Sequence, residues 1–243
     1  MEVRLLGTGG WVPTDKRETS CVYLRSGSEV LLLDAGSGAR RLVTERHLME
    51  GVERVSVAFS HFHLDHVSGV AALAGMDARR ELWMPAELLA GIPASELLDR
   101  LVAPPFFTGR AEVGEARELA GETQIGPFGV EIRVQPQHPG RSIAIKVDGV
   151  LTYCTDTRQD SENIGFARGS RVLLHESFRP GGTTDDPGHT ASGEAGRIAA
   201  EAGVERLVLV HVNPEGPDDD ELVAAALGRF PASEVGRDGL VVM

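Results

Sequence analysis

Residues 58–70 read AFSHFHLDHVSGV and set three histidines and an aspartate, His61, His63, Asp65 and His66, within six positions. The four polar side chains follow an apolar run, RVSVA, and precede a segment with helical spacing. Taken as the extended end of a strand, the stretch alternates its side chains with period two, so His61, His63 and Asp65 point to one side. His66 is out of phase and falls where the helix begins. Two imidazoles on one face can chelate one ion, and the neighbouring carboxylate with the out-of-phase imidazole can reach a second. Zinc takes imidazole and carboxylate ligands, and a catalytic zinc site leaves a position for water. Were the stretch helical, His61 and Asp65 would face together and His63 would point away, so the spacing suits an extended edge better. One histidine at a strand end is ordinarily a hydrogen-bonded structural residue. Four such residues in H-x-H-x-D-H order are not explained by packing.

The same device, an apolar strand closing on a chemically active residue, recurs along the chain. EVLLLDAGSG closes on Asp34, GVEIRVQPQH on His138, GVLTYCTDT on Asp156, RVLLHES on His175 and Glu176, and RLVLVHV on His211. Helical spacing predicts helices over 66–76, 85–102 and 191–202, with Pro- and Gly-rich loops at 103–109, 126–129 and 180–188. This alternation predicts a layered α/β domain that presents polar residues at one sheet edge. No low-complexity linker or shift of composition divides the chain, so residues 1–243 are expected to form one domain.

Charge narrows the partners. The formal net charge is −12, and no basic cluster exceeds pairs such as Arg40–Arg41 and Arg79–Arg80. Long-range electrostatics would repel a polyanion, which counts against a long nucleic acid and favours a small substrate. Two bound divalent cations would still attract a single phosphate, because bound ions dominate the field around them. No apolar run approaches the roughly 20 residues that span a bilayer, and MEVRLLGTGG opens in a strand pattern rather than a secretory leader. Cys21 and Cys154 lie far apart in strand-like segments. A disulfide framework is not expected, and a cytoplasmic location is.

With these motifs in place, the chain resembles the metallo-β-lactamase superfamily, and within it the ribonuclease Z-like branch. His61, His63, Asp65 and His66 stand at the four positions of the H-x-H-x-D-H signature, LGTGGWVPTDKRETSCVYL (6–24) resembles the opening of the branch, and LLLDAGSG carries Asp34. His138, Asp156 and His211 follow in order at the remaining ligand positions, and LLHESF (173–178) and GHTAS (188–192) resemble two further motifs. The resemblance runs the length of the chain. It implies an αββα sandwich of two mixed β-sheets flanked by helices. It also implies that His61, His63 and His138 hold one metal ion and Asp65, His66 and His211 another, with Asp156 bridging. Asp34 would then accept hydrogen bonds that fix the ligand loop. Two Zn2+ ions are expected, with Mn2+ or Fe as alternatives, and a homodimer is implied by the branch alone.

Two ions about 3.5–4 Å apart can share a water, lower its pKa and polarise the oxygen under attack. Such a pair serves phosphodiesters, sulfate esters, thioesters and lactones alike, so the residues around it must discriminate. A poor leaving oxygen needs a proton donor. The resemblance associates Glu176 and His189 with that donation, and a carboxylate paired to an imidazole would raise its pKa and hold one tautomer. Asp65 is a candidate for proton transfer from the attacking water. The role of His175 stays open, and His47 reads as a solvated helix residue. GTGG (7–10) lacks the lysine and spacing of a phosphate loop and reads as a tight turn near the site. Cys154 reads as a buried structural thiol with pocket lining as the alternative. Trp83, Phe106 and Phe107 read as core or interface packing, with capping of a base or aromatic leaving group as the alternative.

The chain departs from ribonuclease Z proper in one respect. Enzymes of that type carry an arm that holds the transfer-RNA body, inserted between the third and fourth metal motifs. Here only PGRSIAIKVDGVLTYCT, a hairpin-like segment, separates His138 from Asp156. The expectation is a phosphodiesterase for a small nucleotide-like or cyclic diester. A ribonuclease Z-type endonuclease, a sulfatase or a lactone or thioester hydrolase stand as alternatives, and a non-catalytic module does not require so complete a ligand set.

Overall fold

The computed structural model describes every residue except Phe106, Gln137, Pro139, Gly140, 182–187 and Pro217, so the reading of Phe106 lies outside the described residues. Among the described residues the strands form two sheets, of six and seven strands. The first runs in chain order: β1 (Glu2–Gly7), β2 (Cys21–Ser26), β3 (Glu29–Leu33), β4 (Arg54–Ala58), β5 (Arg79–Pro85) and β6 (Glu115–Leu119). The second comprises β7 (Glu122–Ile125), β8 (Phe128–Gln135), β9 (Ser142–Val147), β10 (Leu151–Cys154), β11 (Val172–Glu176), β12 (Arg206–Val210) and β13 (Ser233–Val235), again in sequence order. Each sheet opens with antiparallel strands and continues with parallel ones, from β3 in the first and from β10 in the second. Both sheets are therefore mixed.

Continuous apolar runs such as VLLL in β3 arise because both faces of that strand are covered. Leu31 and Leu33 enter a core between the sheets, shared with Val130, Ile145, Leu151, Tyr153, Leu174 and Val208. Val30 and Leu32 point the other way, into a core completed by Leu42, Val67, Leu73, Leu98 and Val102. These come from α1 (Arg41–Thr44), α2 (Leu64–Val67), a following 3-10 segment and α3 (Ala94–Val102). The outer face of the second sheet, with Leu173, Leu207 and Leu209, packs on Ala167, Ile198 and Leu222. Those belong to α4 (Glu162–Ala167), α5 (Ser192–Ala202) and α6 (Asp219–Leu227). The order of layers is helix, sheet, sheet, helix, as the resemblance implies. Truncating one of these buried leucines to alanine would cost about 2–5 kcal/mol.

Three local expectations are refined. The helix expected over 66–76 begins at Leu64, stops at Val67 and passes into a 3-10 segment, Ser68–Leu73. The cause is close packing: Gly69 donates to the Ala35 carbonyl at 2.8 Å, and a Cβ on Gly69 would lie 2.0 Å from the Gly36 oxygen. Segment 85–102 splits into a 3-10 turn, Ala86–Leu88, and α3, because Gly91 is left-handed and Pro93 precedes the helix. The third helix is α5, over nearly the expected residues. Helices α4 and α6 were not expected, although DDDE carries a signal for α6: the Asp218 carboxylate accepts from the Glu221 N–H at 2.9 Å.

Candidate metal centre

The parallel strands bring the candidate residues to one edge, where strand C-termini from both sheets meet. Asp34 follows β3, and His61 and His63 follow β4 on an extended loop. Asp65 and His66 occupy α2, so Asp65 leaves the face that strand alternation assigns it. His138 comes after β8, which two antiparallel steps orient like β10. Asp156 follows β10, Glu176 ends β11 and His211 follows β12. Asp34, Asp156 and His211 all take left-handed backbone, with φ of 61°, 45° and 51°. Each such residue costs about 1 kcal/mol or more and persists where surrounding contacts over-determine it.

The candidate ligand atoms form two groups around Asp156, and a third combination joins Asp156 and His211 to His189. His61 Nε2 and His138 Nε2 lie 3.5 and 3.6 Å from Asp156 Oδ2, and His138 Nε2 lies 3.3 Å from His63 Nδ1. On the other side, His66 Nε2 and His211 Nε2 lie 3.1 and 3.0 Å from Asp156 Oδ1. Asp65 Oδ2 completes this second group, 3.4 Å from His66 Nε2 and 3.2 Å from His211 Nε2. In each group the candidate atoms lie within 4.8 Å of one another. One carboxylate thus presents one oxygen to each group.

Hydrogen bonds behind the ligands set the tautomers. Asp34 Oδ2 accepts from His66 Nδ1 at 2.7 Å, Ser60 Oγ at 2.7 Å and Tyr153 Oη at 2.9 Å, while Oδ1 accepts from the Ser60 N–H at 2.6 Å. The Ser60 hydroxyl proton is therefore committed, so His61 Nδ1 donates to Ser60 Oγ at 3.0 Å. His138 Nδ1 donates to the Gly188 carbonyl at 3.0 Å. With the proton on Nδ1, His61 and His138 direct Nε2 lone pairs into the centre. The buried Nε2 atoms of His61 and His66 have no hydrogen-bond partner among the described residues. Such orphaned atoms are costly, and the His63 and His138 nitrogens face each other at 3.3 Å, where either a shared proton or a cation satisfies them. The donor set, five imidazoles and two carboxylates, fits two divalent ions of the zinc class.

The two groups differ in protonation. Burial, then the His66 charge, pushes His61 down to about 4. Burial likewise lowers His63 and His138, aided at His63 by His138. Burial alone would lower His66 too, but Asp156 and Asp34 outweigh it and raise its pKa well above the usual histidine range. For Asp65, burial pulls upward but the adjoining His211 and His66 imidazoles hold it below the usual carboxylate range. The same contest, won by the charges of His211, His66 and His61, keeps Asp156 ionised.

Above the groups, His189 Nδ1 donates to Glu176 Oε2 at 2.7 Å, and Glu176 Oε1 accepts from the Thr157 N–H at 2.5 Å. The His189 ring stacks on Phe178 at 4.0 Å and stands 5.5 Å from both His138 and His211, one from each group. His175 alternates away from Glu176 on β11 and is buried, its Nδ1 donating to the Glu176 carbonyl at 2.9 Å. Cys154 packs in the outer core, where burial pushes its thiol up to about 12, as suits a structural residue. Trp83 and Phe107 pack against the cores, and His47 is exposed on a 3-10 turn. Sequence reasoning missed Ser60, Tyr153 and the Trp11 N–H, which donates to Asp65 Oδ2 at 2.8 Å. A serine directly before a candidate ligand was the one available signal.

Comparison with known proteins places the family and the fold. The family model described as beta-lactamase superfamily domain matches residues 30–212. A ribonuclease Z of Methanothermobacter thermautotrophicus is 25% identical over 300 aligned positions, covering 100% of this chain and 96% of the relative. The metallo-beta-lactamase fold protein YhfI of Bacillus subtilis superposes with a TM-score of 0.80 at 24% identity, covering 100% of this chain and 99% of the other. A diphosphatase of the PhnP family gives 0.73 at 15% identity, covering 100% and 97%. These structural likenesses establish the shared fold.

Proposed function

The chain belongs to the β-lactamase superfamily, on its ribonuclease Z-like branch, and from that premise we propose that it is a metal-dependent hydrolase of a small nucleotide-like or cyclic phosphodiester. The observation that carries this reading is Asp156, with one oxygen toward His61 and His138 and the other toward His66 and His211. His61, His63 and His138 would hold one ion and Asp65, His66 and His211 the second, as zinc or, with the same donors, Mn2+ or Fe. When bound, two such ions lower the pKa of water and polarise the ester oxygens. Asp65 takes the proton from the attacking water, and His189, fixed by Glu176, gives one to the leaving oxygen. Exposed arginines flank two ligands, Arg141 three residues after His138 and Arg158 two after Asp156, a local basicity that suits an anionic ester in an acidic chain.

We read residues 1–243 as one hydrolase domain, because the inter-sheet core draws on both halves. Buried free thiols at Cys21 and Cys154 support a reducing, cytoplasmic setting. No helix among the described residues is long and apolar enough to cross a membrane. The branch resemblance supports a homodimer.

The names of the relatives favour a second reading, 3′ processing of transfer RNA. Against it, the alignment with the first relative runs to 300 positions where this chain has 243 residues, so the relative carries segments this chain lacks. Between His138 and Asp156 stands the β9–β10 hairpin with its turn at Asp148–Gly149, too little for an RNA-holding arm. The test is metal analysis followed by a hydrolysis panel of bis(p-nitrophenyl) phosphate, cyclic nucleotides, an aryl sulfate, a lactone and a pre-transfer RNA. Turnover concentrated on the diesters is expected. Turnover only of the RNA would replace the first reading by the second, and turnover only of sulfate or lactone would sink both.

A further inference from the structure

Seven large apolar side chains are exposed among the described residues, and three of them, Trp11 at 59%, Val12 at 43% and Leu64 at 74%, lie on the two segments that meet at Asp65. Leu64 stands between His63 and Asp65 in the chain. Trp11 is tied to the same Asp65, whose Oδ2 accepts its N–H at 2.8 Å and lies 3.2 Å from His211 Nε2. The preceding turn is pressed onto the centre as well. Gly10 donates to the Val212 carbonyl at 3.0 Å, and a Cβ on Gly10 would fall 2.5 Å from the His211 ring. Trp11 itself holds a left-handed backbone, with φ 61°.

None of this serves stability. A largely exposed indole contributes little burial, and its backbone conformation is one that L residues rarely adopt. The cost is explained if the side chain is needed on this segment, which its own N–H ties to Asp65. Leu64, exposed beside Asp65 in the chain, adds a second apolar side chain to the segments that meet at that carboxylate, unsuited to phosphate and suited to the flat face of a substituent. We propose that Trp11, flanked by Leu64, is a stacking platform that selects phosphoesters carrying a flat aromatic group, nucleobase or aryl. The proposal rests on the diesterase reading for its biological meaning, while the stacking itself can be measured without turnover.

The experiment is calorimetric binding to the metal-loaded protein, using two pairs that share a head group: adenosine 5′-monophosphate against ribose 5-phosphate, and phenylphosphonate against methylphosphonate. Because the head group is common, any change at the metal ligands cancels in the ratio. The wild type should bind the aromatic member about tenfold more tightly, the size of one base–aromatic stack. Trp11→Ala should remove that preference and Trp11→Phe should keep most of it. A preference confined to the nucleotide pair assigns the platform to bases, and one in both pairs to flat rings generally. A wild type without preference, or one whose preference survives Trp11→Ala, overturns the proposal. So does a Trp11→Ala variant whose preference is intact but whose sedimentation shows a broken dimer, which would make Trp11 an interface residue. Aromatic preference without diester hydrolysis would retire the diesterase reading and leave the platform standing, and diester hydrolysis with the preference unmoved would do the reverse.

Discussion

His61 and His138, with His63 beside them, face Asp156 Oδ2 as imidazoles whose pKa values burial has lowered, whereas His66 and His211 face Oδ1 and also meet a second carboxylate, Asp65. The first group is a set of neutral donors around one oxygen. The second is richer in charge, and its His66 is pinned between Asp34 and Asp156 with its pKa raised. The difference teaches that one constellation can offer two positions of unequal proton competition without any asymmetry of residue type beyond Asp65.

The largest blow to this comparison is the loss of what both groups share. Asp156→Ala should empty both positions, with metal content near nil by elemental analysis and no measurable hydrolysis, while circular dichroism stays folded. Retention of one full ion would show that the groups are independent. Next in size is a paired experiment, His63→Ala against His211→Ala. Each should abolish turnover, but each should keep the ion of the other group, so metal analysis should find one ion per chain in both variants by the assignment above. Loss of both ions from either variant would merge the two groups into one.

His189 touches the comparison from above, at equal ring distance from His138 and His211. His189→Ala should slow esters with poor leaving groups by about 10²–10⁴-fold and p-nitrophenyl esters far less. Equal losses on both would remove its role as proton donor. The smallest effect is in protons. A lowered pKa leaves an imidazole neutral and ready to bind near pH 7, and a raised one leaves it protonated, so its proton must depart as the ion enters. Filling the second position should therefore release about one more proton than filling the first, measurable in weakly buffered calorimetry. Acidification should strip the second position first and the first only near the value to which His61 is depressed, about 4.

How much of this was legible in the sequence also divides along the two sheets. The first sheet contributes four candidate ligands in one contiguous stretch, where spacing alone suggests a metal. The second contributes His138, Asp156 and His211 singly, each at a strand end like any other, and only their order beside known motifs connected them. Asp65 left its expected face because α2 begins at Leu64, so helical rather than extended geometry aims its side chain. The residues that orient the ligands were hidden for a different reason. Tyr153 reaches Asp34 across 119 positions, and the Trp11 and Thr157 contributions are backbone amides, which no residue pattern records. His175 was separable from Glu176 by arithmetic, since period two sends neighbours to opposite faces.

The left-handed backbone at Asp34, Asp156 and His211 has a consequence for how such a protein can change. At each of these positions glycine would relax the backbone, but at Asp34 it would also leave the Ser60, His66 and Tyr153 donors without their acceptor. A population screened for heat resistance in the absence of substrate would therefore keep Asp34, whose hydrogen bonds outweigh its strain, and test glycine first at Asp156 and His211. The residues that make the centre are held there by selection against the fold's own preference.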